Sequence, residues 1–360
     1  MKILFLTKYD YMGASSRYRF FQFYDFYKEN NIEITTQAFF NDNYLINLYQ
    51  GKRDIKAILN AYIKRFIVLF HINKYDLLVI EKELFPYIPA FFEKILSLMK
   101  VKYVVDYDDA IFHQYDNSNN KIIKSFLSNK IAKVMSYSSL VVAGNSYLAN
   151  YAINKAKVKA TIVPTVIDLE KYDKVVVYQK DDNEVVIGWI GSPSTSKYLT
   201  FLEDVFVDLS QKYNIKVHII GSTVSPFKNF KAKLIKWSED SEIEEMKKFD
   251  IGIMPLLDSP WERGKCGFKL IQYMGCSLPV VGSPVGVNSE IIETGRNGFL
   301  ASGQDEWKKS LEILIKDKRI RSSLGINGRS NVKALYCKNA IESRLLALME
   351  NFYTRNLNEL

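Results

Sequence analysis

Gly264-Lys265-Cys266-Gly267-Phe268-Lys269-Leu270-Ile271-Gln272-Tyr273-Met274-Gly275-Cys276-Ser277-Leu278-Pro279-Val280-Val281-Gly282-Ser283 reads as a glycine-bearing turn, a short helix from about Phe268, and a Leu-Pro-Val-Val strand. A helix that begins this way offers backbone N–H groups and a positive dipole end, and both favour an anion. Lys265 and Lys269 lie in the same turn. With the amides of Gly267, Phe268 and Lys269 they suit a diphosphate, which a lysine meets as a point charge. The plainer alternative is a solvated helix start with incidental lysines. The strand that follows favours the site, because α/β units bind ligands at the carboxyl edge of their sheet.

Outward from this stretch, strand-length apolar runs alternate with helical patterns. They fall at 2–7, 32–38, 76–80, 103–106, 140–143 and 161–163, and again at 185–190, 216–221, 250–255 and 278–281. That alternation predicts parallel, doubly wound sheets. The expected organisation is α/β, with two Rossmann-like domains facing a cleft: 1–167, a charged linker over 168–184, and 185–335. A final amphipathic helix is expected over 336–360. Leu311, Leu314 and Ile315 share one helical face, and Leu345, Leu346, Leu348 and Met349 another.

Composition narrows the classes. The chain has 360 residues, 48% of them hydrophobic, enough for two cores. No uncharged apolar run reaches the roughly 18 residues of a spanning helix. Met1-Lys2-Ile3-Leu4-Phe5-Leu6-Thr7-Lys8 is charged too soon for a signal peptide and reads as a first strand. Cys266, Cys276 and Cys337 form no metal-ligand spacing and no even disulfide set, which fits a reducing cytoplasm. A net charge of +9 implies an anionic partner. A nucleotide-sugar, an anionic lipid surface and a nucleic acid all qualify on charge alone. No aromatic base-stacking platform accompanies the basic residues, which disfavours the nucleic acid.

The motif Lys265, three residues, Lys269-Leu270, two residues, Tyr273-Met274 resembles the donor signature of retaining family 4 glycosyltransferases of the GT-B fold. The runs 164–168, 188–195, 282–292 and 295–300 fit that family in order, and the likeness covers most of 1–340. It implies that the final helix over 336–360 crosses back to the first domain. It also implies transfer of a hexosyl group from a nucleotide-diphosphate sugar to a glycan or lipid-linked acceptor, with no metal and no cofactor beyond the donor. Lys269 would stabilise the leaving diphosphate and Leu270 belongs to the same motif. Gln272 falls where the family's second glutamate holds the donor ribose, and Gly264 where the family has the first. Glu262 is a candidate substitute for the latter, within a loop of Asp258, Trp261 and Arg263 that suits sugar recognition. Lys197 occupies the place of a phosphate-binding lysine. Asp108 aligns with the histidine that touches the transferred sugar, and Asp109 follows it. The loop around Gly13 borders the family's acceptor cleft.

These residues also have readings of their own. Gly191 permits close backbone approach beside Ser192, and Ser194 or Thr195 caps the next helix. Gly13 allows a tight turn, Ser15 or Ser16 caps, and Arg17 and Arg19 can meet an anion. Asp106, Asp108 and Asp109 end a strand, where substrate contact, helix capping and a hard cation compete. Glu83 is a weaker acceptor candidate. His218 reads as a core or sheet-face histidine, with no histidine partner at ligand spacing. The stretch 44–70 carries Lys52, Arg53, Lys56, Lys64 and Arg65, and 121–133 adds Lys124 and Lys130. Both read as basic amphipathic helices, either docked on the anionic inner face of a membrane or simply solvated. Two other functions stay open: a non-catalytic nucleotide-sugar or glycan-binding subunit, and a nucleotide-sugar isomerase.

Overall fold

The structure, a computed structural model, describes residues 1–174 and 183–357. The chain divides into two compact units. The first holds Met1–Thr165, Gly264–Cys266 and the chain from Ile341 on; the second holds Val166–Arg263 and Gly267–Ala340.

In the first unit β1 (Lys2–Leu6), β2 (Glu33–Thr36), β3 (Leu77–Glu81), β4 (Tyr103–Tyr107), β5 (Leu140–Ala143) and β6 (Ala160–Ile162) form one sheet in the order 2-1-3-4-5-6. All its pairings are parallel. β3, β4 and β5 are buried along their whole length, as a sheet covered on both faces requires. Their Leu, Val and Tyr runs therefore read as continuous apolar strands rather than alternating ones. The switch in strand order falls between β1 and β3, so the loops after them and after β4 gather at one carboxyl edge.

The second unit repeats the plan with β7 (Val185–Ile190), β8 (Ile215–Ile220), β9 (Lys233–Ile235), β10 (Ile251–Met254), β11 (Val280–Gly282) and β12 (Gly298–Leu300). The sheet order is 12-11-10-7-8-9, again parallel throughout. Counted within the unit this is the Rossmann order, and its switch lies between β7 and β10. β9 and β12 lie outside the strand-length apolar runs that the sequence shows. Trp307, Leu311, Leu314 and Ile315 of helix Gln304–Lys316 are buried in this unit.

The stretch expected to link the domains begins as structure. Asp168 caps helix Leu169–Asp173 by accepting from the Glu170 N–H at 3.1 Å, and Tyr172 is buried in the second core. The rest of that stretch, 175–182, lies outside the described residues. In helix Lys338–Leu357, Ile341, Leu345 and Met349 recur every four residues. They line a small cavity of the first unit with Phe5, Phe23 and Tyr27.

Candidate active site

Gly267 takes the left-handed conformation (φ 66°, ψ 15°) and starts helix Phe268–Gly275, whose N-cap makes no side-chain hydrogen bond. A Cβ at Gly267 would lie 2.4 Å from Ile291 Cδ1, so both backbone angle and space demand glycine. The helix is anchored by its buried face, Leu270 to Gly275, and by the Tyr273 hydroxyl, which accepts from the Ile190 N–H at 2.9 Å. That bond ties the helix to the end of β7, at the switch point. There the Lys269 ammonium lies 4.4 Å from the Trp189 ring centroid. A Cβ at Gly191 would come within 2.9 Å of Lys269 Nζ and 2.6 Å of the Trp189 ring. Gly191, Lys269, Gly267, Phe268 and the buried Leu270 and Gln272 thus belong to one corner of the second unit.

One expectation for this unit is revised. Neither Ser194 nor Thr195 caps a helix: the segment Pro193–Leu202 is a 3-10 helix starting after Ser192, and the Thr195 hydroxyl donates back to the Ser192 carbonyl at 2.9 Å. Lys197 is exposed, its ammonium 5.5 Å from the Tyr198 ring. Glu262 is buried, and its two carboxylate oxygens accept from the hydroxyls of Tyr198 and Ser259. Arg263 pairs with Asp258 through two bonds of 2.6 and 3.0 Å.

In the first unit, three acids at the end of β4 each meet a base. Arg19 grips Asp106 with two bonds of 2.9 and 2.6 Å, both side chains buried. Lys82 lies 2.9 Å from Asp108, and Lys265 2.8 Å from Asp109. Burial alone would raise the Asp108 pKa, yet Lys82 and the Ser15 hydroxyl hold it below the usual carboxylate range. Burial would likewise lower that of Lys265, but Asp109 outweighs it and the direction is up. Lys265, read from sequence beside Lys269 in one phosphate turn, thus has a carboxylate partner of its own.

The loop after β1 also differs from its reading. Gly13 has φ −73°, so its glycine serves close packing, since a Cβ there would lie 2.3 Å from Tyr9 Cβ. Ser15 and Ser16 do not cap helix Ala14–Arg19: their hydroxyls donate to Glu81 at 2.7 and 2.6 Å. Arg17 and Arg19 are buried. Glu83 is buried too, paired with Lys130 and accepting from the Tyr115 hydroxyl at 2.9 Å. Lys130 and Arg65 are therefore interior groups. Arg65 donates to the carbonyls of Thr7 and Gln37 at 2.6 and 3.1 Å.

Sequence reading passed over three contributors. Lys82 sits at φ 68°, held by its N–H on the Asp106 carbonyl (3.0 Å) and by the Tyr107 hydroxyl on its own carbonyl (2.7 Å). Such over-determination is what keeps a non-glycine residue left-handed. Asn145, also buried, caps helix Ser146–Asn154 through Oδ1 and donates through Nδ2 to the carbonyls of Gly264 and Lys265, both at 3.0 Å. Asn145-Ser146 after a strand is a legible N-cap, but its second bond joins residues 119 apart. The third is Trp189, which supports Lys269.

Among the described residues no group of three or more His, Cys, Asp or Glu could hold a metal ion, and no helix is long and apolar enough to cross a membrane.

Residues 184–317 match the family described as glycosyl transferases group 1. The capsular polysaccharide biosynthesis glycosyltransferase CapM of Staphylococcus aureus is 25% identical over 191 residues, 51% of this chain and 49% of that protein. The chain spans about half the length of the curated relatives it matches. Sucrose-phosphate synthase from Thermosynechococcus elongatus aligns with 99% of this chain and 100% of its own, at TM-score 0.70 and 11% identity. Anabaena HepE in complex with UDP and glucose aligns over 98% and 100%, at TM-score 0.66 and 17% identity. At such identities the structural likeness shows the fold, which is GT-B: two Rossmann-like domains.

Proposed function

We propose, on the premise that this GT-B chain carries a group 1 glycosyltransferase domain in its second unit, that it is a retaining hexosyltransferase. Its donor is a nucleotide-diphosphate sugar and its acceptor a glycan or a lipid-linked glycan, in surface polysaccharide or glycoconjugate synthesis. One observation carries this reading: a helix start without a side-chain cap, behind left-handed Gly267, with the Lys269 ammonium braced on Trp189 at the sheet's switch point. It presents backbone donors and a positive charge to a diphosphate, where ligands of such sheets bind. HepE, a structural neighbour, is described with UDP and glucose, and CapM is named for capsular polysaccharide biosynthesis.

In this reading the second unit holds the donor. Gly191 and Ser192 let backbone approach the phosphates, and Lys197 is a further phosphate contact. The amides of Gly267, Phe268 and Lys269 take up charge on the leaving diphosphate while a donor phosphate oxygen accepts the acceptor's proton. Stabilising developing charge is usually the largest catalytic contribution. Leu270 anchors the helix, and the Gln272 carboxamide accepts from a ribose hydroxyl with one oxygen where a carboxylate has two. The first unit supplies the acceptor side: Gly13, Ser15 and Arg17 after β1, then Asp108 and Asp109, the latter setting the position of Lys265. Glu262 reaches a sugar only by exchanging its bonds to Tyr198 and Ser259.

Those two occupied oxygens, with Gln272 in place of an acid, favour a second reading: a subunit that binds a nucleotide-sugar without transferring it. Incubation with a panel of labelled nucleotide-sugars separates the alternatives. Transfer or hydrolysis means an enzyme, binding alone a subunit, and an altered sugar an isomerase. Anomeric proton couplings of the product test retention, and an inverted product overturns it.

For location we propose the cytoplasmic side, docked on an anionic bilayer. Helix Ile55–Leu69 exposes Ile55, Leu59, Ile63, Phe66 and Ile67 together with Lys56 and Lys64, and Lys52, Arg53 and Phe70 flank it. Helix Lys121–Leu127 exposes Ile122 and Phe126 beside Lys121. Apolar and basic side chains exposed on the same helices are the composition of an interfacial helix.

A further inference from the structure

The second sheet has a feature at the opposite end of its strands from Gly191 and Lys269. Glu184, Lys216, Val217, His218, Lys231, Ala232 and Lys233 border an open depression of about 560 Å³. Its floor follows from strand register. Lys216 and His218 alternate on one face of β8, and His218 is the direct partner of Lys233 on the edge strand β9. On the other side His218 faces Gly188 of β7, and its ring lies 6.3 Å from that of Phe249. Lys231 precedes Lys233 by two residues, and both are exposed.

The charges do not balance. Among the described residues three lysines border the depression against one acid, Glu184, which lies 2.6 Å from Lys216. His218 is 7% exposed, and its Nδ1 is buried with no hydrogen-bond partner among the described residues. A buried nitrogen without an acceptor is cheapest left unprotonated, which assigns the proton of the neutral ring to Nε2, as a donor. Groups that donate, or become cations, thus line this depression, with a single committed acceptor among them.

We propose that this depression binds an anion of the phosphate class, with Lys231 and Lys233 supplying charge and His218 a hydrogen bond. The site is separate from the donor corner, and neither stands or falls with the other. The charged groups near enough to act on His218 electrostatically are Lys233 on β9, Glu184 before β7, Glu245 on helix Glu242–Lys247 and Lys216 on its own strand. Burial and then Lys233 lower the His218 pKa; an anion seated among the lysines opposes both and raises it.

The chain has three histidines, so ring resonances are few and His218→Gln assigns the one needed. Inorganic phosphate or diphosphate, titrated against chloride at equal ionic strength, is expected to shift the His218 signal saturably and move its midpoint upward. His71 and His113 should stay in place. Lys231→Gln with Lys233→Gln should weaken the effect roughly tenfold or more, the scale of losing charge-assisted bonds, and exposed substitutions leave folding intact. A shift that never saturates, that chloride reproduces, or that persists unchanged in the double variant overturns the proposal.

Discussion

Lys265 and Lys269 are four residues apart and have different neighbours: a carboxylate for the first, the face of an indole for the second. An ammonium on an aromatic face is held by the ring's quadrupole, whereas Lys265 is held by a carboxylate. Lys269→Ala is therefore expected to weaken nucleoside diphosphate binding by about 1.5–3 kcal/mol, and Lys121→Ala to leave it unchanged. Calorimetry decides, and equal affinities in the two variants remove the donor site from this corner. Asp108 invites a stability test. Asp108→Asn strands the Lys82 ammonium in a buried site, a loss of about 3–5 kcal/mol at neutral pH. Because the folded pKa of Asp108 lies below its unfolded value, its contribution is complete above roughly pH 4 and fades as acid lowers the pH toward the folded pKa. Urea unfolding at pH 7 and pH 3 should show the gap between wild type and variant narrowing in acid. A constant gap would contradict the ion-pair account.

Among the elements, helix Ile55–Leu69 departs furthest from an ordinary surface helix. Leu59 and Ile63 are 60% and 58% exposed, one turn apart, while Arg65 of the same helix is buried. Its periodicity was legible, but which side faced the core was not, because apolar side chains lie on both. Exposed large residues in a row call for a partner. Replacing Lys52, Arg53 and Lys56 by glutamine should reduce sedimentation with anionic vesicles, and Leu59→Ser with Ile63→Ser should reduce it further. Neither change should shift the melting temperature appreciably, since exposed sites alter stability by under about 0.5 kcal/mol. If both variants pellet like wild type, or the wild type does not pellet, the face is solvated and the acceptor more simply a soluble glycan.

At the scale of the molecule, two six-stranded parallel sheets repeat one plan with different strand orders. Each carries its candidate residues at the carboxyl edge beside its own switch point. The strongest acid cluster, Asp106, Asp108 and Asp109, belongs to the first unit, and each of its members has a basic partner. A divalent cation would have to displace Arg19, Lys82 and Lys265 to gather those oxygens. Turnover is thus expected to survive EDTA. Loss of activity in EDTA, restored by magnesium or manganese, would make the cluster a metal site and reverse the assignment.

By itself the sequence determined the elements and their class. Ten of the twelve strands among the described residues, the parallel alternation and the Gly267 helix start are local properties of periodicity and turn chemistry, readable within a few residues. Tertiary structure alone decided what each polar group meets. Lys265 with Asp109, Lys82 with Asp108, Glu83 with Lys130 and Glu262 with Tyr198 join residues 26 to 156 positions apart. A charged side chain looks the same in sequence whether it faces water, a ligand or a buried counter-charge. Burial makes the difference, because only where water is excluded must each charge find its partner in the fold.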